Sequence, residues 1–305
     1  MRHIFIINPA AGKKDRSEEL RQQIHNLKTD DPVEIYVTKG VGDAKVKAEA
    51  EASVGDEIRI YACGGDGTAN EVLAGIKDYK NCSLGIIPVG SGNDFVKTFE
   101  PLTKEDFLDL QKMIDGEEMT IDLIECCGKY SMNVISIGFD ASVSKNMVKF
   151  KRWPLVSGSL AYKLAIAYSL FTQRKHKVKV WVDDKPFDKA DYKKTTLLTF
   201  GANRKFYGGG FKAAPFAKLD DGYMEFVHCK TISMFKLASI IGAYTKGEHY
   251  KNPKMPFMSF DRCKKLRFEA EKPICLNVDG EIYFEKNPEF VIQEAALKII
   301  LPKKK

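Results

Sequence analysis

Short apolar runs alternate with amphipathic stretches between the N-terminus and about residue 120. The apolar runs, at residues 4–7, 33–37, 58–63 and 84–87, have the length and composition of buried β-strands. The stretches between them, at residues 14–28, 43–53, 69–76 and 103–115, are predicted helices, and in the first of them Leu20, Ile24 and Leu27 recur on one face. Strands that alternate with helices of this length predict a parallel sheet flanked by helices.

The pattern changes near residue 120, after which strand-like segments dominate. Predicted strands cover residues 120–125, 130–137, 178–182, 195–200, 224–228, 265–269, 274–278, 290–292 and 297–301, and predicted helices cover residues 159–172 and 233–244. Short strands at this density are typical of a β-sandwich or a barrel. We therefore predict two domains, an α/β domain at residues 1–122 and a mostly β domain at residues 123–305.

The composition narrows the class of protein. The chain has 305 residues, of which 44% are hydrophobic and 29% charged, so wholesale disorder is excluded. The longest apolar stretches, at residues 164–171 and 237–244, are shorter than the ~20 residues that span a bilayer, and residues 4–7 are too few for a signal peptide. The seven cysteines form no CxxC pair and have no metal-ligand spacing, so we expect a reducing, cytoplasmic compartment.

Positive charge is concentrated in one segment of the chain. Residues 141–212, called the basic block below, contain 16 Lys and Arg but 4 Asp and Glu, a net charge of +12, whereas the whole chain carries +7. Such a block suits nucleic acid, an anionic membrane surface or an acidic substrate, or is simply a solvated face. No nucleic-acid-binding motif and no stacking pattern of aromatic residues accompanies it, so we expect no nucleic-acid partner.

A glycine-rich motif follows the third predicted strand. Residues 64–68 read Gly-Gly-Asp-Gly-Thr and lead into a predicted helix. Glycines let the backbone approach a phosphate closely, and the N–H groups at a helix N-terminus attract anions. Asp66 would repel a bare phosphate, so a metal ion or a donor group of a nucleotide is expected between them. Thr68 is placed where it could cap the helix, and the motif is neither a P-loop nor G-x-G-x-x-G.

Three further segments follow predicted strands in the same way. They are residues 8–13, Thr38 and residues 90–95, and all lie at carboxyl ends of strands, where an open α/β sheet binds its ligand. Lys13 and Lys97 stand beside these motifs, either to counter phosphate charge or as solvated surface lysines. Far downstream, residues 277–281 (Asn-Val-Asp-Gly-Glu) predict a hairpin with an Asp-Gly turn, in which Glu281 could also be no more than an exposed strand residue.

In this order the motifs resemble those of lipid kinases in the diacylglycerol kinase catalytic-domain superfamily, close to the soluble bacterial diacylglycerol kinases. The resemblance rests on residues 8–12, 64–71, 88–95, 208–210, 217–223, 246–249 and 278–281, and so spans nearly the whole chain. It implies a Rossmann-like α/β domain, similar to those of phosphofructokinases and NAD kinases, followed by a β-sandwich domain. It also implies that the nucleotide binds in the cleft between the two domains.

The resemblance also implies roles for individual residues. Catalysis falls to Asp66, Asp94 and Glu281, with Glu281 as the general base and the two aspartates acting through Mg-ATP. A second, structural Mg²⁺ is assigned to the Asp221 carboxylate with the main-chain oxygens of Lys218 and Tyr223. ATP contacts are assigned to Asn8, Pro9, Ala10, Ala11, Gly12, Thr38, Gly65, Asp66, Gly67, Thr68, Ala69, Asn70, Glu71 and Ser91.

The function that this resemblance implies is the ATP- and Mg²⁺-dependent phosphorylation of diacylglycerol to phosphatidic acid. The alternatives are a kinase for another acceptor, such as a sphingoid base, phosphatidylglycerol or NAD, and a catalytically silent regulator that binds membranes. The motif at residues 8–12 and the hairpin at residues 277–281 argue against an NAD kinase. We expect a cytoplasmic protein that binds reversibly to the inner, anionic face of the membrane through the basic block; a homodimer is common among similar kinases.

Overall fold

The computed structural model describes residues 1–90, 93–151, 153, 156, 158–172, 175–208, 210–250 and 252–304. The chain forms two compact units. The first consists of Met1–Leu123, Gly208–Gly210 and Glu294–Lys305, and the second of Ile124–Tyr207 and Phe211–Gln293. The chain therefore returns to its first unit at its C-terminal end, whereas the sequence prediction assigns all of residues 123–305 to the second domain.

The first unit is built around a parallel sheet. Its strand order is β2-β1-β3-β4-β16, and every adjacent pair in this order is parallel. These strands are β1 (Arg2–Ile7), β2 (Val33–Val37), β3 (Ile58–Gly64), β4 (Cys82–Pro88) and β16 (Glu289–Leu301), and β5 (Glu117–Cys126) begins in this unit. The helices are α1 (Ser17–His25), α2 (Asp43–Ala52), α3 (Asp66–Ile76), α4 (Lys104–Leu108) and α5 (Leu110–Ile114), with a short 3₁₀ helix at Val96–Thr98.

The centre of this sheet is apolar on both faces, as expected for strands covered by helices on each side. Tyr61 of β3 stacks on Phe5 of β1, with ring centroids 4.4 Å apart. On its other side Tyr61 lies opposite Gly85 of β4, and a Cβ at Gly85 would come within 2.4 Å of the tyrosine ring. The large residue on one strand therefore requires the glycine on the next, which fixes the local packing of β3 against β4.

The second unit contains two antiparallel sheets. One has the order β12-β11-β10-β7-β14-β15, and the other pairs the first residues of β16 with β13, β8 and β9 in turn. The strands are β6 (Lys129–Ser131), β7 (Val134–Gly138), β8 (Lys179–Val182), β9 (Lys185–Pro186), β10 (Thr196–Ala202), β11 (Met224–Lys230), β12 (Met258–Cys263), β13 (Lys265–Glu269), β14 (Ile274–Val278) and β15 (Glu281–Glu285). The helices are α6 (Phe139–Phe150), α7 (Gly158–Thr172) and α8 (Met234–Thr245).

The two sheets of the second unit enclose a common core. Ile137 of β7 and Phe226 of β11 point into it from one sheet, and Phe268 of β13 and Phe290 of β16 from the other. Alternation along β7 is clear, because Ile135 and Ile137 face this core whereas Val134 faces a second cluster, to which residues of α8 contribute. The β-sandwich predicted from the strand density is confirmed.

Several local predictions differ from the structure: the strand predicted at residues 130–137 is two strands, β6 and β7, and β12 was not predicted. The helix predicted at residues 103–115 is two helices, because Asp109 has an extended backbone that ends α4 and its side chain accepts the Lys112 N–H to cap α5. The strands predicted at residues 290–292 and 297–301 are one strand, β16. Helix α6 was not predicted, since it follows β7 directly with no intervening turn residues.

Among the residues that the structure describes, no helix is both long and apolar enough to cross a bilayer.

Candidate active site

The carboxyl ends of β1, β3 and β4 lie side by side in the parallel sheet, and each continues into one of the motifs identified from the sequence. The N–H of Asn8, directly after β1, donates to the carbonyl of Cys63 in β3 at 3.0 Å. Its side-chain Nδ2 donates to Thr68 Oγ1 at 2.9 Å. The first loop is therefore joined both to the third strand and to the start of α3.

The loops after these strands touch backbone to backbone. A Cβ at Gly90, after β4, would lie 2.3 Å from the Cα of Gly65, after β3. Gly12, in the first loop, has a φ of +84°, and a Cβ there would lie 2.5 Å from the carbonyl oxygen of Val89. No other residue type fits at Gly12 or Gly90 without moving a neighbouring loop. Glycine is thus needed for contact between the three loops, in addition to any contact with a ligand.

Helix α3 begins earlier than predicted, at Asp66 instead of residue 69. Gly65 is the residue that precedes its first turn, so the suggestion that Thr68 caps this helix is wrong. Thr68 lies within the first turn, buried, with its hydroxyl oxygen accepting the hydrogen bond from Asn8. Because the glycine-aspartate motif is itself the helix N-terminus, the N–H groups of its first turn lie beside the loops that follow β1 and β4.

A hydrogen bond links two aspartates from different motifs at this edge of the sheet. Asp66 accepts hydrogen bonds from the backbone N–H groups of Asp94, at 3.2 Å, and Phe95, at 3.4 Å. Asp94 is buried, and its Oδ1 accepts from Lys97 Nζ at 2.6 Å. The structure thus brings together both aspartates that the resemblance assigns to catalysis, and it places a lysine against one of them.

The other predicted nucleotide contacts are distributed around the same loops. Thr38 is buried at the end of β2, and its N–H donates to the carbonyl of Ile7 at 2.9 Å. Asn70 and Glu71 are half-buried on α3, and Ala69 is fully buried beneath it. Pro9 and Ala10 follow Asn8 in the first loop, and the Ala11 N–H closes that turn on the Asn8 carbonyl. Ser91 lies outside the described residues.

Glu281 lies in the second unit, at the start of β15. The predicted hairpin is present, and its turn residues Asp279 and Gly280 both have positive φ, +47° and +99°, as in a type I′ turn. Glu281 pairs with Val278 across the turn and is exposed, and its carboxylate accepts a hydrogen bond from the Tyr283 hydroxyl. An exposed carboxylate on a hairpin with a defined turn is suited to reach a substrate, provided that the turn is rigid.

Buried hydrogen bonds hold this turn in place. The Asp279 carboxylate accepts from Ser131 Oγ and from the N–H groups of Met132 and Val134, each at 2.8 Å. The Asn133 N–H also lies 3.2 Å from it. A half-buried carboxylate that accepts from several buried donors ties the hairpin turn to the chain between β6 and β7, two residues before Glu281.

A second half-buried carboxylate, Asp140, supports the same turn and was not identified from the sequence. Asn277 Nδ2 donates to Asp140 Oδ2 at 2.8 Å, while Asn277 Oδ1 accepts from the Gly280 N–H at 2.8 Å. The Ser136 hydroxyl also donates to Asp140. Burial raises the pKa of Asp140, and these two donors oppose the rise. The only sequence signal for Asp140 is its position directly after a buried strand.

The loop expected to hold the structural Mg²⁺ already has a cation beside its carboxylate. Asp221 pairs with the guanidinium of Arg262 and also accepts the N–H of Tyr223 at 3.2 Å. Arg262 contacts Glu225 at 3.2 Å and lies over the Tyr223 ring, 4.9 Å from its centroid. The assignment of Mg²⁺ to Lys218, Asp221 and Tyr223 stays a prediction, and the ion would have to share the Asp221 carboxylate with Arg262 or displace it.

The donor set at the first site suits a metal that arrives with a nucleotide. Within the parts of the chain that the structure describes, no group of three or more His, Cys, Asp or Glu side chains could hold a metal ion. Asp66 and Asp94 form only a pair, so phosphate oxygens or water would have to complete the coordination of a Mg²⁺ there.

The basic block is partly neutralised within the second unit. Lys179 pairs with Glu269, which lies outside the block, whereas Lys194 pairs with Asp191, whose charge is already included in the +12. Arg204 is buried, and its Nε donates to the carbonyl of Met132 at 2.7 Å. The surface charge of the block is therefore lower than the +12 counted from the sequence, and whether the block faces a membrane stays a prediction.

Comparisons with known proteins match both halves of the sequence. A family described as "Diacylglycerol kinase catalytic domain" matches residues 2–126, and one described as "YegS C-terminal NAD kinase beta sandwich-like domain" matches residues 133–301. A protein named diacylglycerol kinase from Staphylococcus aureus (strain Newman) is 29% identical over 301 residues, covering 98% of this chain and 91% of that protein. The crystal structure of a diacylglycerol kinase from Bacillus anthracis str. Sterne has a similar fold, with a TM-score of 0.69 and 20% identity over 98% of this chain and 96% of that one.

Proposed function

Because this chain belongs to the family that joins a diacylglycerol kinase catalytic domain to a YegS-type β-sandwich domain, we propose that it transfers the γ-phosphate of ATP to the hydroxyl of diacylglycerol, giving phosphatidic acid. The observation that carries the proposal is the meeting of Asn8, Asp66 and Asp94 at one edge of the parallel sheet. These residues come from three separate motifs, in the order that the family has them. The relatives' names favour diacylglycerol as the acceptor over other lipids.

The residues of the first unit would bind and orient ATP. The N–H groups at the start of α3 and the close-packed glycine loops form a cradle for phosphates. Mg²⁺ bound with ATP would neutralise the phosphate charge that develops during transfer. Asp66 and Asp94 would hold that ion, and Lys97, 2.6 Å from Asp94, would keep the Asp94 carboxylate in position and contribute a positive charge near the phosphates.

Glu281 would accept the proton of the lipid hydroxyl. A general base has to be exposed to the substrate and held in a defined position. Glu281 is exposed, and the buried contacts of Asp279 and Asn277 fix the turn that precedes it. A structural Mg²⁺ at Asp221 would hold the loop of residues 218–223 in the same unit, in competition with Arg262.

The lipid acceptor lies in a membrane, so the enzyme has to reach a bilayer. Basic residues near an anionic leaflet contribute roughly 1 kcal/mol each before screening. We infer that the exposed part of the basic block provides this attraction from the cytoplasmic side. Vesicle binding should then weaken as salt rises, because the Debye length falls from about 10 Å at 0.1 M to about 3 Å at 1 M. Vesicle binding that does not change with salt would contradict the proposed membrane role of the basic block.

The decisive test is a transfer assay with γ-labelled ATP against diacylglycerol, a sphingoid base, phosphatidylglycerol and NAD, the lipids being presented in mixed vesicles. Diacylglycerol should give the fastest labelling, and Asp94→Asn and Glu281→Gln should each lose at least about 100-fold in kcat. Glu281→Gln should still bind ATP, because Glu281 is assigned to proton transfer and is not among the residues assigned to ATP contacts. Labelling of NAD alone would overturn the lipid assignment.

The same assay separates a second class of function. A chain that retained the fold but lost catalysis would bind vesicles and label no acceptor. The pairing of Asp94 with Lys97 and the ordered turn before Glu281 argue against that outcome, because neither would be needed in a silent regulator.

A further inference from the structure

A cavity in the second unit collects lysines from three separate parts of the chain. Its volume is about 380 Å³, within the range of small-molecule sites. Lys145 comes from α6, Lys175 and Lys177 from the segment between α7 and β8, and Lys272 from the turn between β13 and β14. None of these lysines belongs to the nucleotide motifs or to the hairpin of Glu281, so the cavity is lined by residues to which the proposed function assigns no catalytic or nucleotide-binding role.

In the described part of the chain, no ion pair neutralises the positive charge around this cavity. Among the described residues, none of the four lysines forms an ion pair with a carboxylate, and the amine of Lys145 lies over the Phe284 ring at 5.1 Å. Glu271 is the one acidic side chain among the described residues that line the cavity. Several ammonium groups around one cavity repel each other, and an anion bound between them relieves that repulsion.

The floor of the cavity is apolar and rigid. Ile137, Val178 and Ile274 are buried in the core of the β-sandwich, and they also line the cavity. A ligand with a carbon skeleton beside its anionic group can therefore contact the floor while the lysines contact its charge. Since the floor is part of a packed core, it is preformed, whereas the exposed lysines can adjust their side chains to the ligand.

The lining also limits the class of ligand. Four ammonium groups against one carboxylate suit a group that carries about two negative charges and several acceptor oxygens, as a phosphomonoester does. The described lining contains no Phe, Tyr or Trp on which a nucleobase could stack. We propose that this cavity binds a phosphomonoester, either on a small soluble molecule or as the headgroup of a lipid in a bilayer.

The test compares two triple variants with the same change in charge. Lys145→Gln, Lys177→Gln and Lys272→Gln remove three lysines of the cavity. The control replaces three exposed lysines of the same unit that do not line the cavity, namely Lys185→Gln, Lys193→Gln and Lys286→Gln. All six positions are exposed, so both proteins should keep the melting temperature of the parent chain without ligand.

Binding of glycerol 3-phosphate and of inorganic phosphate is measured by calorimetry, with a non-hydrolysable ATP analogue and Mg²⁺ saturating the nucleotide site. The parent and the control should bind glycerol 3-phosphate, and the cavity variant should bind at least about tenfold more weakly. Any of three results would overturn the proposal. The three proteins could bind glycerol 3-phosphate with equal affinity, both variants could lose affinity equally, or the parent could show no binding in either this or the vesicle assay.

Vesicle sedimentation then distinguishes the source of the phosphomonoester. Neutral vesicles are compared with vesicles that contain phosphatidic acid, or phosphatidylglycerol at matched surface charge. A preference for phosphatidic acid that only the cavity variant loses would identify a lipid headgroup. Binding of glycerol 3-phosphate without that preference would identify a soluble ligand. Neither assay measures phosphoryl transfer, so failure here is distinguishable from failure of the kinase proposal.

Discussion

Replacement of Asp279 by alanine should be among the most destabilising single changes in the second unit. It would leave the Ser131 hydroxyl and the N–H groups of Met132 and Val134 without their acceptor in a buried position. The Asn133 N–H would keep Ser131 Oγ as its acceptor. Each buried donor that loses its partner costs about 1–3 kcal/mol, and the costs are not fully additive. Relief of the buried charge offsets part of the loss, so we expect a decrease of about 4 kcal/mol in the free energy of unfolding.

The β8–β9 hairpin offers a matched control for this change. Asp183 has a φ of +46°, nearly the same as that of Asp279, and it also opens a two-residue turn. Its carboxylate accepts the N–H groups of Lys264 and Lys265 at 2.9 Å, but at the surface. Asp183→Ala carries the same backbone cost of alanine at positive φ, without the buried donors, and should lose about 1–2 kcal/mol.

Chemical denaturation of the two variants, followed by tryptophan fluorescence and circular dichroism, gives both values. The catalytic consequence is measured in parallel as kcat, which should fall in Asp279→Ala even at temperatures where the protein remains folded, because Glu281 follows the loosened turn. If Asp279→Ala destabilises the chain no more than Asp183→Ala, the buried hydrogen bonds do not hold this turn and the reasoning is wrong.

Three further outcomes follow from the structure. Addition of Mg²⁺ should raise the melting temperature of Arg262→Gln by roughly 2 °C more than that of the parent chain, because the guanidinium competes with the ion for the Asp221 carboxylate. This difference should vanish when Asp221→Asn is added, and an unchanged response would place Mg²⁺ elsewhere. Burial lowers the pKa of His228 from 6.5 to about 4, so as the pH falls this histidine is protonated in the unfolded chain before it is protonated in the folded one. The free energy of unfolding should therefore fall between pH 6.5 and pH 4, by up to about 3 kcal/mol. His228→Phe should flatten that part of the pH profile measured by urea denaturation, and an identical profile would contradict the assignment. Gly90→Ala should weaken ATP binding at least about tenfold in calorimetry, because its methyl group collides with a neighbouring loop, whereas Gly242→Ala meets open space and should leave binding unchanged.

The order of elements in the first unit was predictable because its strands are short, apolar and separated by amphipathic helices. The convergence of the motifs was predictable for the same reason, since parallel strands end at one edge of a sheet. The start of α3 was not predictable from composition, because Asp66 and Gly67 are poor helix formers that tertiary contacts with Asn8 and Asp94 hold in the first turn.

Long-range pairing accounts for the rest of what the sequence did not reveal. Residues 290–301 contain Glu294 and two alanines between their apolar segments, a pattern that reads as two strands separated by a loop. In the structure Asp122 accepts the N–H of Ala295 at 2.8 Å, and this contact between distant residues carries the strand through the polar stretch. Arg262 and Asp140 were missed similarly, because their partners lie far away in sequence.

The pairing of β16 also affects how the chain can fold while it is being synthesised. The four N-terminal strands are complete once residue 88 has been synthesised. The other edge of β4 pairs with Lys298 and Ile299 of β16, which are synthesised about two hundred residues later. At ordinary translation rates the apolar edge of β4 therefore waits for roughly 10 to 40 s without its final partner. During that interval it is a site for pairing with other nascent chains, so the yield of this protein in cells depends on whatever shields that edge until the last strand arrives.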